Sequence, residues 1–254
     1  MLTNFLFFFM KLLFTGASGF LGNNVRPLLE EVYDVVTMGL LPQDDYVVNI
    51  AKEIPKLRER YDIVLHAAGK AHFVPKTEVE RQVFFDVNLQ GTKNLCTALE
   101  QGGVPRVFIF ISTVAVYGCD FGENITEEHP LNGVTPYAMS KRLAEEYLQK
   151  WCYKHNVILG IIRPSLIAGP YPPGNLGSMI QGIRSGKYLS IAGSQARKSV
   201  AKSMALIGDC LGKKAPINSL KLMKITRSLT FSNEKVIREL GWKSTNVLEN
   251  FRIE

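Results

Sequence analysis

Lys11-Leu-Leu-Phe-Thr-Gly-Ala-Ser-Gly-Phe-Leu-Gly22 decides the fold. Residues 12–15 read as a short strand buried on both faces, because no polar residue alternates with the apolar ones. The strand opens into a G-x-x-G-x-x-G turn formed by Gly16, Gly19 and Gly22. A helix follows, carrying Val25, Leu28 and Leu29 on one face. Taken alone, such a turn is a structural bend, a phosphate loop or a dinucleotide site. Its place between a strand and a helix N-terminus favours an anionic ligand held by backbone N–H groups.

Outward from this turn, strands and helices alternate. Strands are expected at 34–38, 61–69, 106–112 and 157–163, and long helices at 81–101 and 136–155. This order predicts an α/β protein with a doubly wound parallel sheet, whose ligands bind at the carboxyl ends of the strands. After Pro170 the texture changes. Residues 171–177 are rich in Pro and Gly and read as a loop, and a final helix is expected at 233–240. Two domains are therefore expected, 10–170 and 171–254.

The chain of 254 residues is long enough for one sizeable core with a smaller lobe. Its four cysteines form no C-x-x-C pair and its four histidines show no metal-ligand spacing, so no metal and no disulfide are expected. The net charge of +7 could suit nucleic acid, but no basic cluster is interleaved with aromatics. An anionic small-molecule substrate accounts for the charge as well, and no nucleic-acid partner is expected. The opening Met-Leu-Thr-Asn-Phe-Leu-Phe-Phe-Phe-Met10 is apolar but has no basic start, and it is too short to span a bilayer. Either Met10 is the functional beginning or the stretch is a short extra apolar tail, and no membrane partner and a cytoplasmic location are expected.

Two further stretches carry chemistry. Tyr137 and Lys141 stand at i and i+4 and share a helix face. The spacing predicts that the ammonium lowers the phenol pKa, so that Tyr137 exchanges a proton with an alcohol oxygen. Tyr-x-x-x-Lys is common by chance, but Ser112 and Thr113 end an apolar strand upstream. A hydroxyl there can orient the same substrate oxygen. A dinucleotide site would also ask for an acid after the second strand to hold the adenosine ribose. That place reads Thr37-Met38-Gly39, and the loop around Pro42 leaves the aim of Asp44 and Asp45 open.

Together the motifs Thr15–Gly22, His66-Ala-Ala-Gly69, Val87-Asn-Leu-Gln-Gly-Thr92, Ser112-Thr-Val-Ala-Val-Tyr-Gly118, Pro136-Tyr-Ala-Met-Ser-Lys141 and Arg163-Pro-Ser-Leu-Ile-Ala-Gly-Pro170 resemble the extended short-chain dehydrogenase/reductases. The resemblance is to their NAD-dependent epimerase/dehydratase branch, which includes UDP-galactose 4-epimerase, and it runs from residue 11 to about residue 200. It implies a Rossmann domain with a small substrate lobe. It implies NAD as cofactor, with NADP left open, a nucleotide-sugar substrate, and a homodimer built on the helices at 81–101 and 136–155. Tyr137 would be the catalytic acid/base, Lys141 would hold the nicotinamide ribose, and Thr113 would orient the substrate. The cofactor would meet Gly16, Ser18, Gly19, Phe20, Leu21, Gly22, Ala67, Ala68, Gly69, Ser112, Tyr137, Lys141 and Pro164. Asn175, Leu176 and Arg197 would meet the substrate diphosphate. Asn88 would support the site rather than react.

One departure stands out. After Arg197-Lys-Ser-Val200 the family continues with further substrate-lobe sequence, whereas here Ala201-Lys-Ser-Met-Ala-Leu reads as later helix. The lobe is thus expected to be incomplete between Val200 and Ala201. Three functions follow: an NAD-dependent nucleotide-sugar 4-epimerase, an NAD(P)H-dependent 4-keto-sugar reductase, or a catalytically impaired dinucleotide-binding protein. A dehydratase is disfavoured, because Val114-Ala115 stands where such enzymes carry Asp-Glu.

Overall fold

A computed structural model describes residues 10–71, 73–172, 174–185 and 228–243, with positions 206, 209 and 219 between them. Residues 1–9, Arg197 and the Val200–Ala201 junction lie outside the described residues. The chain divides into two units, Met1–Gly118 with Leu131–Pro173, and Cys119–Pro130 with Gly174–Glu254.

The first unit is built on six parallel strands: β1 (Lys11–Thr15), β2 (Asp34–Gly39), β3 (Tyr46–Val47), β4 (Ile63–His66), β5 (Val107–Ile111) and, after one further strand in the chain, β7 (Ile158–Ile162). Their order is β3-β2-β1-β4-β5-β7, a Rossmann-like arrangement in which the winding reverses at β1. Apolar residues on both faces of β1, β4 and β5 explain why these strands are central. Leu13, Val64, Phe108 and Phe110 pack on one face, against Leu95, Leu99, Leu148 and Trp151. Leu12, Phe14, Ile63 and Leu65 pack on the other, with Leu29. Each such buried side chain contributes about 1.5–3 kcal/mol.

The helices start and stop where the sequence offers caps. The first, α1 (Phe20–Glu30), opens on Gly19 without a side-chain cap. In α2 (Glu78–Phe85), Thr77 and Glu80 form a reciprocal capping box. A π-helical turn over Asp86–Gln90 joins α2 to α3 (Gly91–Gly102). The helix expected at 81–101 is therefore one long element with a wide turn at Asn88, a local irregularity that periodicity does not reveal. In α4 (Pro136–His155), Thr135 caps the start, Pro136 occupies the first turn, and Asn156 ends it with φ of 55°.

In the second unit, β6 (Gly122–Ile125) runs parallel to β8 (Leu229–Phe231), pairing Gly122 with Leu229 and Ile125 with Phe231. Neither strand is expected from the sequence, because β6 has no alternation and holds Asn124 at φ 50°. Two helices complete the described part, α5 (Gly174–Arg184) and α6 (Glu234–Leu240). The loop expected at 171–177 thus becomes helix from Gly174 onward. Prolines precede helix starts as well as fill loops, and here Pro172 lies just before the helix.

Candidate active site

The glycine turn lies at the carboxyl end of β1, where the sheet order reverses. Gly16 has φ of +75°, and a Cβ there would lie 2.6 Å from the Ala68 nitrogen. Only glycine lets the turn lie this close to the end of β4. Gly22 is buried against Ala17, whose carbonyl oxygen would be 2.1 Å from a Cβ, so its place is helix-on-turn packing. The first turn of α1 carries no acidic residue and no side-chain cap, leaving its N–H groups open to an anion. A cavity of about 700 Å³ begins at Gly16, Ser18 and Gly19 and extends to Gly39–Leu41 and Asn49–Lys52. Ala67, Ala68 and Gly69 form its wall on the β4 side. An open helix N-terminus, a glycine cradle and an elongated cavity beyond it fit a dinucleotide pyrophosphate with its adenosine. Of the other expected residues, Phe20 faces a separate cleft with Asn23, Asn24 and Tyr171. Leu21 is half-buried in the first helical turn, and the Pro164 carbonyl accepts the Val114 N–H at 3.3 Å.

A buried polar chain holds that wall in place. Thr92 Oγ1 donates to the Asn88 carbonyl at 2.7 Å, which leaves it an acceptor for His66 Nε2 at 2.9 Å. His66 is fully buried, and burial pushes its pKa down to about 3, so the ring is neutral. With Nε2 protonated, Nδ1 accepts from Thr15 Oγ1 at 2.6 Å, and Thr15 Oγ1 accepts the Ala68 N–H at 3.3 Å. Asn88 forms the second tie. Its Oδ1 accepts the Lys70 N–H at 2.7 Å, and its Nδ2 donates to the Lys70 carbonyl at 3.1 Å and to Ser140 Oγ at 2.9 Å. Ser140 Oγ in turn donates to the Tyr137 carbonyl at 2.8 Å. The π-helical turn thus joins the cofactor wall to the start of α4, a supporting role for Asn88.

Thr113 caps the 3₁₀ turn Val114–Tyr117, and its side chain hydrogen-bonds the Tyr137 phenol. The Tyr137 ring lies 6.0 Å from that of Phe84. Burial raises the phenol pKa above its ordinary value, and the Thr113 hydrogen bond only partly offsets this. Lys141 does not lower it, contrary to the expectation from the i, i+4 spacing. The Lys141 Nζ donates instead to the Ile111 carbonyl at 2.8 Å and lies 4.5 Å from the centre of the Phe110 ring. Lys141 is 4% exposed, and burial lowers its pKa to about 8, with Glu145 acting in the opposite sense. Its Nζ would be 3.2 Å from a Cβ on Gly69, so the amine stands directly behind the cavity wall.

Ser112 turns away from its neighbour Thr113. Its hydroxyl donates to the buried carboxylate of Glu145, so the side chain expected to meet cofactor is committed to the core. Glu145 also pairs with Arg163, at 3.1 Å to Nε and 2.6 Å to Nη2. Burial works against the Arg163 charge, but hydrogen bonds to Glu145 and Tyr117 outweigh it and hold the guanidinium firmly protonated. This network, the His66 chain and the tie from Asn88 to Lys70 carry no signal in composition. The repeat of polar residues within apolar strands and on α4 is the only hint of them.

Thr113, Tyr137, Lys141 and the glycine turn all belong to the first unit. Asn175 and Leu176 stand in the first turn of α5 in the second unit, where Leu176 is half-buried. Among the described residues no cluster of His, Cys, Asp or Glu could hold a metal, and no helix is long and apolar enough to cross a membrane.

Known proteins agree with this arrangement. The model of the NAD dependent epimerase/dehydratase family matches residues 12–199, ending next to the Val200–Ala201 junction. An N-acetyl-alpha-D-glucosaminyl-diphospho-ditrans,octacis-undecaprenol 4-epimerase of Escherichia coli O157:H7 is 34% identical over 203 residues, 75% of this chain and 59% of that protein. A GDP-6-deoxy-D-mannose reductase of Pseudomonas aeruginosa is 31% identical over 173 residues, 63% of this chain and 53% of that protein. The Thermus thermophilus UDP-glucose 4-epimerase, solved in complex with NAD, superposes with a TM-score of 0.57 at 25% identity, covering 71% of this chain and 64% of the other. The chain spans somewhat over half the length of these curated relatives. A glycine turn at the sheet's reversal point, the Thr113–Tyr137 pair and a family match over most of the sequence together identify this chain as a member of the NAD dependent epimerase/dehydratase family.

Proposed function

We propose that the protein is an NAD-dependent nucleotide-sugar 4-epimerase. The observation that carries this reading is the hydrogen-bonded Thr113–Tyr137 pair, with Lys141 buried one helical turn further on. The relative with 34% identity, itself a 4-epimerase, supports it. A bound nicotinamide would supply a reversible hydride acceptor. Tyr137 removes the proton from the sugar 4-hydroxyl and gives it back, and Thr113 hydrogen-bonds the same oxygen and keeps it in line. Lys141 holds the nicotinamide ribose. Asn175, Leu176 and Arg197 are proposed to meet the substrate diphosphate, and a homodimer through the helices at 81–101 and 136–155 is the expected assembly.

The second reading, a 4-keto-sugar reductase, uses the same residues and is favoured by the 31% identity to the Pseudomonas enzyme. Cofactor stoichiometry separates the two. Purified protein is incubated with UDP-sugars and a trace of NAD, and separately with 4-keto sugars and NAD(P)H. Full epimerisation with substoichiometric NAD is the expected result. Consumption of one NAD(P)H per product would replace the epimerase with the reductase. Dinucleotide binding without either turnover would leave only a binding protein.

A pH dependence follows from Lys141. The charged amine is the form that hydrogen-bonds a ribose hydroxyl, and its pKa is about 8. Affinity for NADH is therefore full below that pH and falls above it, by up to about tenfold. Titrations at intervals from neutral to alkaline pH check this. Lys141→Met is expected to bind weakly at every pH with no such slope, and an unchanged slope in that variant would remove Lys141 from the ribose.

A further inference from the structure

One buried ion pair holds both ends of the segment that carries Thr113. At the start of the segment, the Ser112 hydroxyl donates to Oε1 of Glu145 on α4. At its end, Arg163 Nη1 donates to the Tyr117 hydroxyl at 3.1 Å, and the guanidinium lies 5.1 Å from the centre of the Tyr117 ring. The two-point pairing of Arg163 with Glu145 joins these anchors, and such a fork fixes direction as well as distance. Backbone bonds complete the frame. The Ser112 N–H donates to the Ile162 carbonyl at 2.7 Å, and the Gly118 N–H closes the 3₁₀ turn on the Ala115 carbonyl at 3.1 Å. Thr113 itself is extended, with φ of −164° and ψ of 149°. In extended backbone, neighbouring side chains point to opposite faces. Holding the Ser112 hydroxyl on one face therefore sets where the Thr113 hydroxyl points on the other.

Stability alone does not account for this pair, because well-packed apolar residues in place of a buried ion pair are often as stable or more so. Neither Glu145 nor Arg163 is among the described residues that line the dinucleotide cavity. We propose that Glu145 and Arg163 are positioning residues of the reaction: through Ser112 and Tyr117 they hold Thr113 in line with Tyr137. Productive geometry tolerates displacements of only about 0.5 Å, and a 3₁₀ turn of four residues held at one end shifts by more than a turn held at both. The inference rests on the proposed chemistry of Thr113 and Tyr137, and it is the same for an epimerase and a reductase.

Ser112→Ala and Tyr117→Phe each remove one anchor and leave the ion pair in place. Initial rates are measured for each variant, alone and combined with Thr113→Val, beside NADH titrations and circular dichroism. Each single variant is expected to lower kcat about threefold to tenfold, with KM and NADH affinity close to those of the wild type. In the Thr113→Val background the same changes are expected to cost nothing further, because the group that they position is gone. Equal losses in both backgrounds would make the anchors structural only and overturn the proposal, as would an unchanged kcat in both single variants. A second readout needs no turnover. Burial raises the Tyr137 phenol pKa and the Thr113 hydrogen bond lowers it. The titration of this phenol is read from phenolate absorbance, as the difference between each protein and its Tyr137→Phe counterpart. It is expected to move to higher pH in Ser112→Ala and in Tyr117→Phe, as in Thr113→Val. An unmoved titration in both would also count against the anchors. A wild type without turnover would end the functional reading, and the phenol titration would still decide the positioning.

Discussion

Tyr137→Phe is expected to lower nucleotide-sugar turnover by about 10² to 10⁴, with NADH affinity and thermal stability nearly unchanged. The substitution deletes one oxygen. The ring keeps its packing against Phe84, and the Asn88–Ser140 tie holds the backbone of Tyr137 rather than its hydroxyl. Burial raises the phenol pKa and the Thr113 hydrogen bond lowers it, so proton removal by Tyr137 depends on that partner as well as on the hydroxyl. Thr113→Val removes that partner and is expected to cost about tenfold to a hundredfold. Initial rates at saturating cofactor, beside a dinucleotide titration, distinguish loss of chemistry from loss of binding. Full turnover by Tyr137→Phe would exclude Tyr137 as acid/base, and a loss of cofactor affinity in step with rate would make its role structural.

The second large effect concerns stability. Glu145→Gln is expected to cost about 3–5 kcal/mol, because it leaves the Arg163 guanidinium buried against a neutral amide. The Glu145 side chain is 1% exposed and that of Arg163 13%, so solvent screens the pair little. The loss corresponds to a fall of about 10 °C in melting temperature, measured by circular dichroism. Replacing both residues together with apolar ones of similar volume, Glu145→Leu with Arg163→Met, is expected to recover most of it. If the double variant were as unstable as the single one, the pair would contribute through its attraction rather than through the penalty of a stranded charge.

Residues with strong local signals were legible in the sequence. Continuous apolar runs placed β1, β4, β5 and β7, and the glycine spacing marked the turn, because these depend on neighbours along the chain. The motifs carried Thr113 and Tyr137 to the same place, and the structure joins them by a hydrogen bond. What escaped depends on tertiary packing. The Lys141 ammonium lies on the same helix face as Tyr137, yet the carbonyl of Ile111 captures it, and no spacing rule contains that carbonyl. Ser112 follows the strand alternation away from Thr113 and into a carboxylate that lies 33 residues later. Asp44 was visible as a residue but not as a direction, since its seat beside Gly39 is set by how Asp45 clamps Thr37.

The sheet order has a consequence for how the chain is made. β1 sits at the centre of the sheet, yet its partner on one side, β4, lies 51 residues downstream. At about 5–20 residues per second, translation leaves the row Leu12, Leu13 and Phe14 without that neighbour for roughly 3–10 seconds. Pairing with β2 covers only one edge during this interval. The row that leads into the glycine turn thus waits, at birth, with one edge unpaired, and a chaperone that shields nascent strands would find a task there.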